Sequence, residues 1–113
     1  LMRGKPVDAA SFSKVEFIED PIVVADGLAA PFAGELTLRH VQHFVDDVVL
    51  VSDTSIIEAM KLMLERIKII AEPAGAATLA AILAGKLKLK PESSVVCILS
   101  GGNIDHKRLK QFL

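Results

Sequence analysis

The sequence predicts an α/β fold in three layers, with a parallel sheet between two layers of helices. Residues 48–51 and 95–99 are continuous apolar runs, which are typical of strands buried on both faces. Helical patterns lie between and after these runs, and the order strand, helix, helix, strand, helix favours parallel pairing through helical connections. Because an average sheet has about five or six strands, we expect the chain to be part of a larger domain.

Four helices are predicted around the two runs. The first occupies residues 34–45, where apolar residues recur at helical spacings behind Glu35, whose charge favours the positive end of a helix. The second begins at Ser52 or Asp53, either of which can cap the free amides of its first turn. An apolar stripe predicts the buried face of this helix: Ile56, Met60, Met63, Leu64 and Ile67.

The third helix is the richest in alanine. Pro73 suits its first turn because the missing N–H has no partner to lose there, and Gly85 is placed to end the helix in a left-handed conformation. We expect close packing along its small residues: Ala76, Ala77, Ala80, Ala81 and Ala84. A short fourth helix covers residues 104–112, and residues 1–21 are predicted to be loop with at most one short edge strand.

Composition and charge exclude several classes of protein. The 113 residues carry 13 Lys and Arg against 14 Asp and Glu, and this balance disfavours nucleic acid and anionic membrane surfaces as partners. A 51% apolar content excludes intrinsic disorder, and no apolar stretch reaches the ~20 residues that span a bilayer. Cys97, the single cysteine, is predicted to be a small buried hydrophobe in a reducing, cytoplasmic protein. We expect one domain at most, and a fragment, because the chain opens on Leu1 without an initiator methionine.

The tetrapeptide Ser100-Gly101-Gly102-Asn103 follows the second predicted strand, where open α/β sheets place their ligands. Two successive glycines let the backbone approach a bound group, and the serine hydroxyl offers one donor and two acceptor lone pairs. Taken alone, the tetrapeptide is explained at least as well by a strand-to-helix turn with Ser or Asn as the helix cap.

Two further positions are candidates for a binding site. Glu72 precedes the third helix in a nearly uncharged neighbourhood, where the helix end would favour its ionised form or burial would keep it neutral. A plain first-turn acidic residue is the simpler explanation. Asp26-Gly27 ends another apolar run, and Asp-Gly is common turn chemistry.

The three histidines are not predicted to form a metal site. His40 and His43 lie three residues apart, a spacing that could bind a metal, but no third ligand is apparent and a solvated helix face explains them better. His106 falls on the polar face of the last helix. The sequence also has no P-loop, nucleophile elbow or Gly-x-Gly-x-x-Gly turn, which disfavours a nicotinamide-dependent enzyme.

Four motifs follow one another along the chain: Ala25-Asp26-Gly27, Val45-Asp46-Asp47-Val48, Glu72-Pro73-Ala74-Gly75-Ala76 and Leu99-Ser100-Gly101-Gly102-Asn103. In this order they resemble the C-terminal part of the catalytic domain in the threonine dehydratase and serine racemase family. The resemblance covers residues 22–103. It implies pyridoxal 5'-phosphate as cofactor and the tryptophan synthase β-like fold (fold type II), with residues 1–113 as the C-terminal portion of the large α/β domain.

The same resemblance implies roles for individual residues. Ser100 would face the pyridine nitrogen of the cofactor, and Gly101 and Gly102 would allow close approach to the ring. Asn103 would hold the turn or meet an effector. The backbone at Gly27 would border the site, and Glu72 would support it near the ring.

No catalytic residue and no metal ligand is expected in this chain, because the Schiff-base lysine of the family would precede Leu1. The segment Ser11-Phe12-Ser13-Lys14 is similar to the lysine motif but lacks the following Arg-Gly-Ala and falls in the wrong order, so Lys14 is not assigned that role. The parent protein would convert L-threonine or L-serine to 2-oxobutyrate or pyruvate and ammonia, with isoleucine biosynthesis as its setting. We expect a homo-oligomer in which this chain packs against the missing N-terminal part. Serine racemisation, hydroxyaspartate elimination and a non-catalytic ligand-binding or assembly module remain as alternatives.

Overall fold

A computed structural model of the protein describes residues 24–29 and 33–113, and its regular structure is helical. A 3-10 turn covers Asp26–Leu28, and four helices follow: α1 over Glu35–Phe44, α2 over Asp53–Ile67, α3 over Pro73–Leu83 and α4 over His106–Phe112. The loop predicted over residues 1–21, Lys14 included, lies outside the described residues. All four predicted helices are confirmed, and their ends lie within two residues of the expected positions.

The prediction of two strands is wrong for the described part of the chain, because neither residues 48–51 nor residues 95–99 form a backbone ladder there. A strand is completed by hydrogen bonds to a neighbouring strand, and no described segment pairs with either run. The predicted burial on both faces fails as well, since Leu50 is 85% and Val96 is 89% exposed. Cys97 is only partly buried for the same reason. The layered α/β arrangement is thus not confirmed.

The described residues fall into two compact units, one with residues 29 and 33–48 and the other with residues 24–28 and 49–113. The first unit contains α1. Glu35 in its first turn pairs with Arg39 one turn later, and both side chains are exposed. His40 and His43 are exposed too, as a solvated helix face requires. The helix ends at Val45, whose amide donates to the carbonyl of Val41.

Helix α2 contributes buried residues to the core of the second unit. The Ser52 hydroxyl accepts from the amide of Ser55 at 3.2 Å, which confirms the predicted cap. Ile56, Met60 and Met63 are buried as the stripe predicts. Ile67 at the end of the stripe is 54% exposed, so its predicted burial is wrong. The helix ends there, because Lys68 adopts a left-handed conformation. Ile67 is the last helical residue, and no following helical turn lies beside its side chain.

Helix α3 packs against α2 through its small residues. Ala76 and Ala80 have no exposed surface, and Ala84 lies at the exposed end. The amide of Lys86 donates to the carbonyl of Ala81, and that of Gly85 donates to Ile82, which is the Schellman pattern of a glycine-terminated helix. One core is formed by residues just before the 3-10 turn, from α2, from the α2–α3 connection, from α3 and from α4: Val24, Ala25, Ile56, Ala59, Met60, Met63, Ala71, Ala76, Ala80 and Phe112.

Candidate functional site

Three segments of the second unit meet at the start of α3. They are the 3-10 turn Asp26–Leu28, the residue Glu72 that precedes the helix, and the turn at residues 100–102. The third predicted motif therefore lies against both the first and the fourth, although 44 or more residues separate the 3-10 turn from Glu72 along the chain. We call this meeting point the Glu72 cluster, and define it as Gly27, Glu72, Gly75, Ser100 and Gly101.

Glu72 and Gly101 form the closest pair in the cluster. The amide of Glu72 donates to the carbonyl oxygen of Gly101 at 3.3 Å. In return, the Glu72 carboxylate lies against the α-carbon of Gly101, where a Cβ would overlap Oε1 and stand 2.6 Å from Cδ. Gly101 also has a φ of +84°, which L side chains rarely adopt. The left-handed backbone requires glycine at this position, whereas the Glu72 carboxylate is the end of a flexible side chain that can move away.

Gly75 brings the first turn of α3 against the same segment. A Cβ at this position would overlap the carbonyl oxygen of Ser100 and stand 2.8 Å from that of Gly101. These are backbone atoms, which cannot rotate away as a side chain would. Gly75 is buried, so the contact is shielded from water.

The 3-10 turn approaches from the other direction. A Cβ at Gly27 would stand 2.9 Å from the Cβ of Ala74 and 3.9 Å from Glu72 Oε1. Arg108 in α4 holds this turn in place through two hydrogen bonds. Its guanidinium donates to Asp26 Oδ2 at 2.7 Å and to the carbonyl of Val24 at 3.2 Å. The hydrogen bond from Arg108 lowers the pKa of Asp26, and the same bond raises the pKa of Arg108, with smaller contributions from the charges of Asp105 and Glu72.

Four of the six residues predicted for the site are brought together here: Gly27, Glu72, Ser100 and Gly101. The other two continue the turn but face elsewhere. A Cβ at Gly102 would stand 2.9 Å from the carbonyl oxygen of Ile70, and Asn103 is exposed and makes no hydrogen bond with a described residue. Whether any of the six contacts a ligand stays a prediction.

One member of the cluster, Gly75, and one residue that holds the neighbouring turn, Arg108, were not predicted from the sequence. Gly75 stands inside the motif around Glu72, and a glycine in the first turns of an otherwise alanine-rich helix is a signal of close backbone contact. The ion pair of Arg108 could not be predicted from the sequence, because a basic residue in a short amphipathic helix is ordinary and its partner lies 82 residues away.

Within the described ranges, no group of three or more His, Cys, Asp and Glu side chains is arranged to hold a metal ion. A helix long and apolar enough to cross a membrane is likewise not found among the residues that the structure describes.

Comparison with known proteins identifies the family. The model of the pyridoxal-phosphate dependent enzyme family matches residues 7–101. The catabolic L-threonine dehydratases TdcB of Staphylococcus aureus strains USA300, NCTC 8325 / PS 47 and COL are each 42% identical to the chain over 105 residues, which is 89% of this chain and 30% of theirs. The chain therefore spans about 30% of the length of these curated relatives. Since the family model covers most of the sequence, the chain belongs to the pyridoxal-phosphate dependent enzymes.

Proposed function

We propose that the protein carrying this chain dehydrates and deaminates L-threonine or L-serine, with pyridoxal phosphate as cofactor, to give 2-oxobutyrate or pyruvate and ammonia. The observation that carries the proposal is the 42% identity to catabolic L-threonine dehydratases along 89% of the chain. The meeting of Gly27, Glu72, Ser100 and Gly101 at one point supports it, because residues distant in sequence converge without being needed for the core.

The residues present fit a pyridine ring. Ser100 is exposed, and its hydroxyl forms no hydrogen bond with a described residue, so one donor and two lone pairs are available to a ligand. The space that a side chain at Gly101 would fill is taken by the Glu72 carboxylate. A hydroxyl can either donate to or accept from a ring nitrogen, and this matches a neutral heterocycle better than a carboxylate would.

When bound, pyridoxal phosphate supplies the electron sink that stabilises negative charge at the substrate α-carbon. In our proposal Ser100 holds the ring nitrogen without enforcing its protonation, which favours β-elimination over transamination. Gly101 leaves room for the Glu72 carboxylate, and Glu72 holds the Gly101 turn through its amide and its carboxylate. Gly27 borders the site through its backbone, Gly102 allows close approach, and Asn103 holds the turn or meets an effector. The lysine that takes the α-proton belongs to another part of the protein.

The proposal extends to partners and setting. It includes a small amino acid as substrate, no nucleic acid or membrane partner, a homo-oligomer in the cytoplasm, and packing of this chain against the N-terminal part of the catalytic domain. The relatives are named catabolic, and this name supports threonine breakdown rather than the isoleucine biosynthesis expected from the sequence.

The test uses the full-length gene product. We expect it to absorb visible light through bound pyridoxal phosphate and to release 2-oxobutyrate from L-threonine. Ser100→Ala should lower kcat by about 10- to 100-fold, which corresponds to one lost polar contact of about 1.4–2.7 kcal/mol in the reacting complex. Ser94→Ala, at an exposed serine of the same segment, is the matched control and should leave kcat unchanged. A protein that binds the cofactor and releases no 2-oxo acid from either amino acid would contradict the proposal.

A further inference from the structure

Three residues spaced three apart, from Glu72 just before α3 to Thr78 within it, contact the segment of residues 98–101. The amide of Glu72 donates to the carbonyl of Gly101 at 3.3 Å. Gly75 lies against the carbonyl oxygen of Ser100. The hydroxyl of Thr78 donates to the carbonyl of Ile98 at 3.0 Å. The segment thus runs antiparallel to the helix and is contacted at three of its four residues from 98 to 101.

The two elements match in length. Residues three apart lie on the same face of a helix, and six helical residues rise about 9 Å. Three steps of nearly extended chain, from residue 98 to residue 101, cover about 10 Å. Successive contacts can therefore follow the segment without bending it, and no contact competes with another.

Each contact acts on the backbone of the segment and not on its side chains. Two carbonyl oxygens, those of Ile98 and Gly101, accept hydrogen bonds. The carbonyl oxygen of Ser100 packs close to the α-carbon of Gly75, in the space that a Cβ would otherwise fill. No described segment pairs with residues 95–99 as a strand, so these contacts with α3 act on the Ser100 backbone without a strand ladder among the described residues.

We infer that Glu72, Gly75 and Thr78 form a positioning face on α3 that sets the placement of Ser100, with Gly75 and Thr78 as positioning residues that touch no ligand themselves. The inference rests on the proposed function only through the ligand role given to Ser100. It assigns to Gly75 a steric requirement and to Thr78 a hydrogen-bonding requirement, and each of these can be tested separately.

The hydroxyl of Thr78 is tested by a conservative pair of variants in the full-length protein. Thr78→Val keeps the shape and removes the donor, whereas Thr78→Ser keeps the donor. We expect Thr78→Val to raise the dissociation constant for pyridoxal phosphate by about 3- to 10-fold, the value of one hydrogen bond, and to shift the absorption maximum of the bound cofactor. Thr78→Ser should restore both to within about twofold of the unaltered protein.

The steric requirement is tested by Gly75→Ala. Alanine favours the helix, so the variant removes no intrinsic stability from α3, yet its methyl group must displace the Ser100 carbonyl. We expect the dissociation constant for pyridoxal phosphate to rise by at least about 10-fold. Gly34→Ala is the matched control, since a Cβ there would stand 3.6 Å from Thr37 Oγ1, an ordinary contact, and it should change nothing.

A readout that needs no cofactor accompanies both tests. Hydrogen–deuterium exchange of the peptide over residues 96–103 in the apoprotein should be at least about twofold faster in Thr78→Val and Gly75→Ala than in Thr78→Ser and Gly34→Ala. If the unaltered protein binds pyridoxal phosphate without dehydrating threonine or serine, the proposed function fails and the comparison of spectra and exchange still decides the inference. Equal spectra, affinities and exchange in Thr78→Val and Thr78→Ser, or an unchanged Gly75→Ala, would overturn it.

Discussion

At the scale of single residues, a long-range ion pair of the described chain joins the 3-10 turn to α4. Arg108 and Asp26 are 82 residues apart, and their side chains remain 34% and 61% exposed. Such exposed pairs contribute little to stability on average, and this one is better understood as fixing where the turn lies beside Glu72.

The pH dependence of this pair has a definite sign. The hydrogen bond from Arg108 lowers the pKa of Asp26 in the folded state, with Asp105 and Glu72 as the other charges around the guanidinium. Because the pKa is lowered, the ionised Asp26 carboxylate stabilises the folded state. This stabilisation is fully present above the unfolded pKa of about 3.9 and is lost as the pH falls through the folded pKa. Measured by urea unfolding, Asp26→Asn should be less stable than the unaltered protein at pH 7, and the difference should shrink as the pH falls below about 3.9.

Glu58→Gln is the control for this prediction, because Glu58 is an exposed carboxylate in α2 with no ion pair among the described residues. Its difference from the unaltered protein should not change with pH in the same way. A gap between Asp26→Asn and the unaltered protein that persists unchanged at pH 3 would show that the carboxylate does not act through its charge.

Gly101 allows a second prediction at this scale. Gly101→Ala should destabilise the protein by about 1–2 kcal/mol from its left-handed backbone, and further because the methyl group must displace Glu72. Gly85→Ala is the matched control, since Gly85 has a φ of +64° and open space around it, so only the backbone cost applies. Unfolding free energies of both variants, each with and without Glu72→Ala, separate the two causes. Gly101→Ala should cost less once Glu72 is shortened, and Gly85→Ala should cost the same in both backgrounds.

At the scale of elements, the start of α2 depends on one side chain. The Ser52 hydroxyl accepts from the amide of Ser55, and the two hydroxyls are 2.9 Å apart. Ser52→Ala should lower the free energy of unfolding by about 0.5–2 kcal/mol, the usual cost of a lost N-cap. Ser52→Asp keeps an acceptor and should recover most of the loss. Identical denaturation curves for Ser52→Ala and the unaltered protein would show that α2 does not need this cap.

The buried face of α2 allows a comparison within one helix. Met63 is 1% exposed, and Ile67 one turn later is 54% exposed. Met63→Ala should cost about 2–5 kcal/mol, as large-to-small changes in a packed core do, whereas Ile67→Ala should cost below about 1 kcal/mol. Chemical denaturation of both variants checks this order, and equal costs for the two would contradict it.

At the scale of the whole molecule, the two apolar runs present unpaired, exposed side chains. Leu50, Val96 and Ile98 are 85%, 89% and 73% exposed. Exposed contiguous apolar surface favours association. The isolated 113-residue chain should therefore self-associate with rising concentration in sedimentation experiments. Val96→Lys should reduce that association, whereas Thr54→Lys, at an exposed polar residue of α2, should leave it unchanged. A chain that stays monomeric throughout would contradict the prediction.

Family membership could be predicted from the sequence, because four motifs in a fixed order carry it even though each is weak alone. The helices could be predicted for a different reason. Their periodicity, the cap at Ser52, Pro73 in a first turn and Gly85 after a last one are local signals, and helical hydrogen bonds close within four residues.

The sequence by itself thus determined the family and the helical elements of this chain. Only the tertiary structure decided that Ile67 is exposed, that the two apolar runs lack a pairing partner among the described residues, and that Glu72 rests against Gly101. The physical reason is the range of the interactions. The contacts of Glu72, Gly75 and Arg108 join residues 25 to 84 positions apart. Strand pairing and burial also depend on distant residues, and no local pattern states which distant backbone a residue will meet.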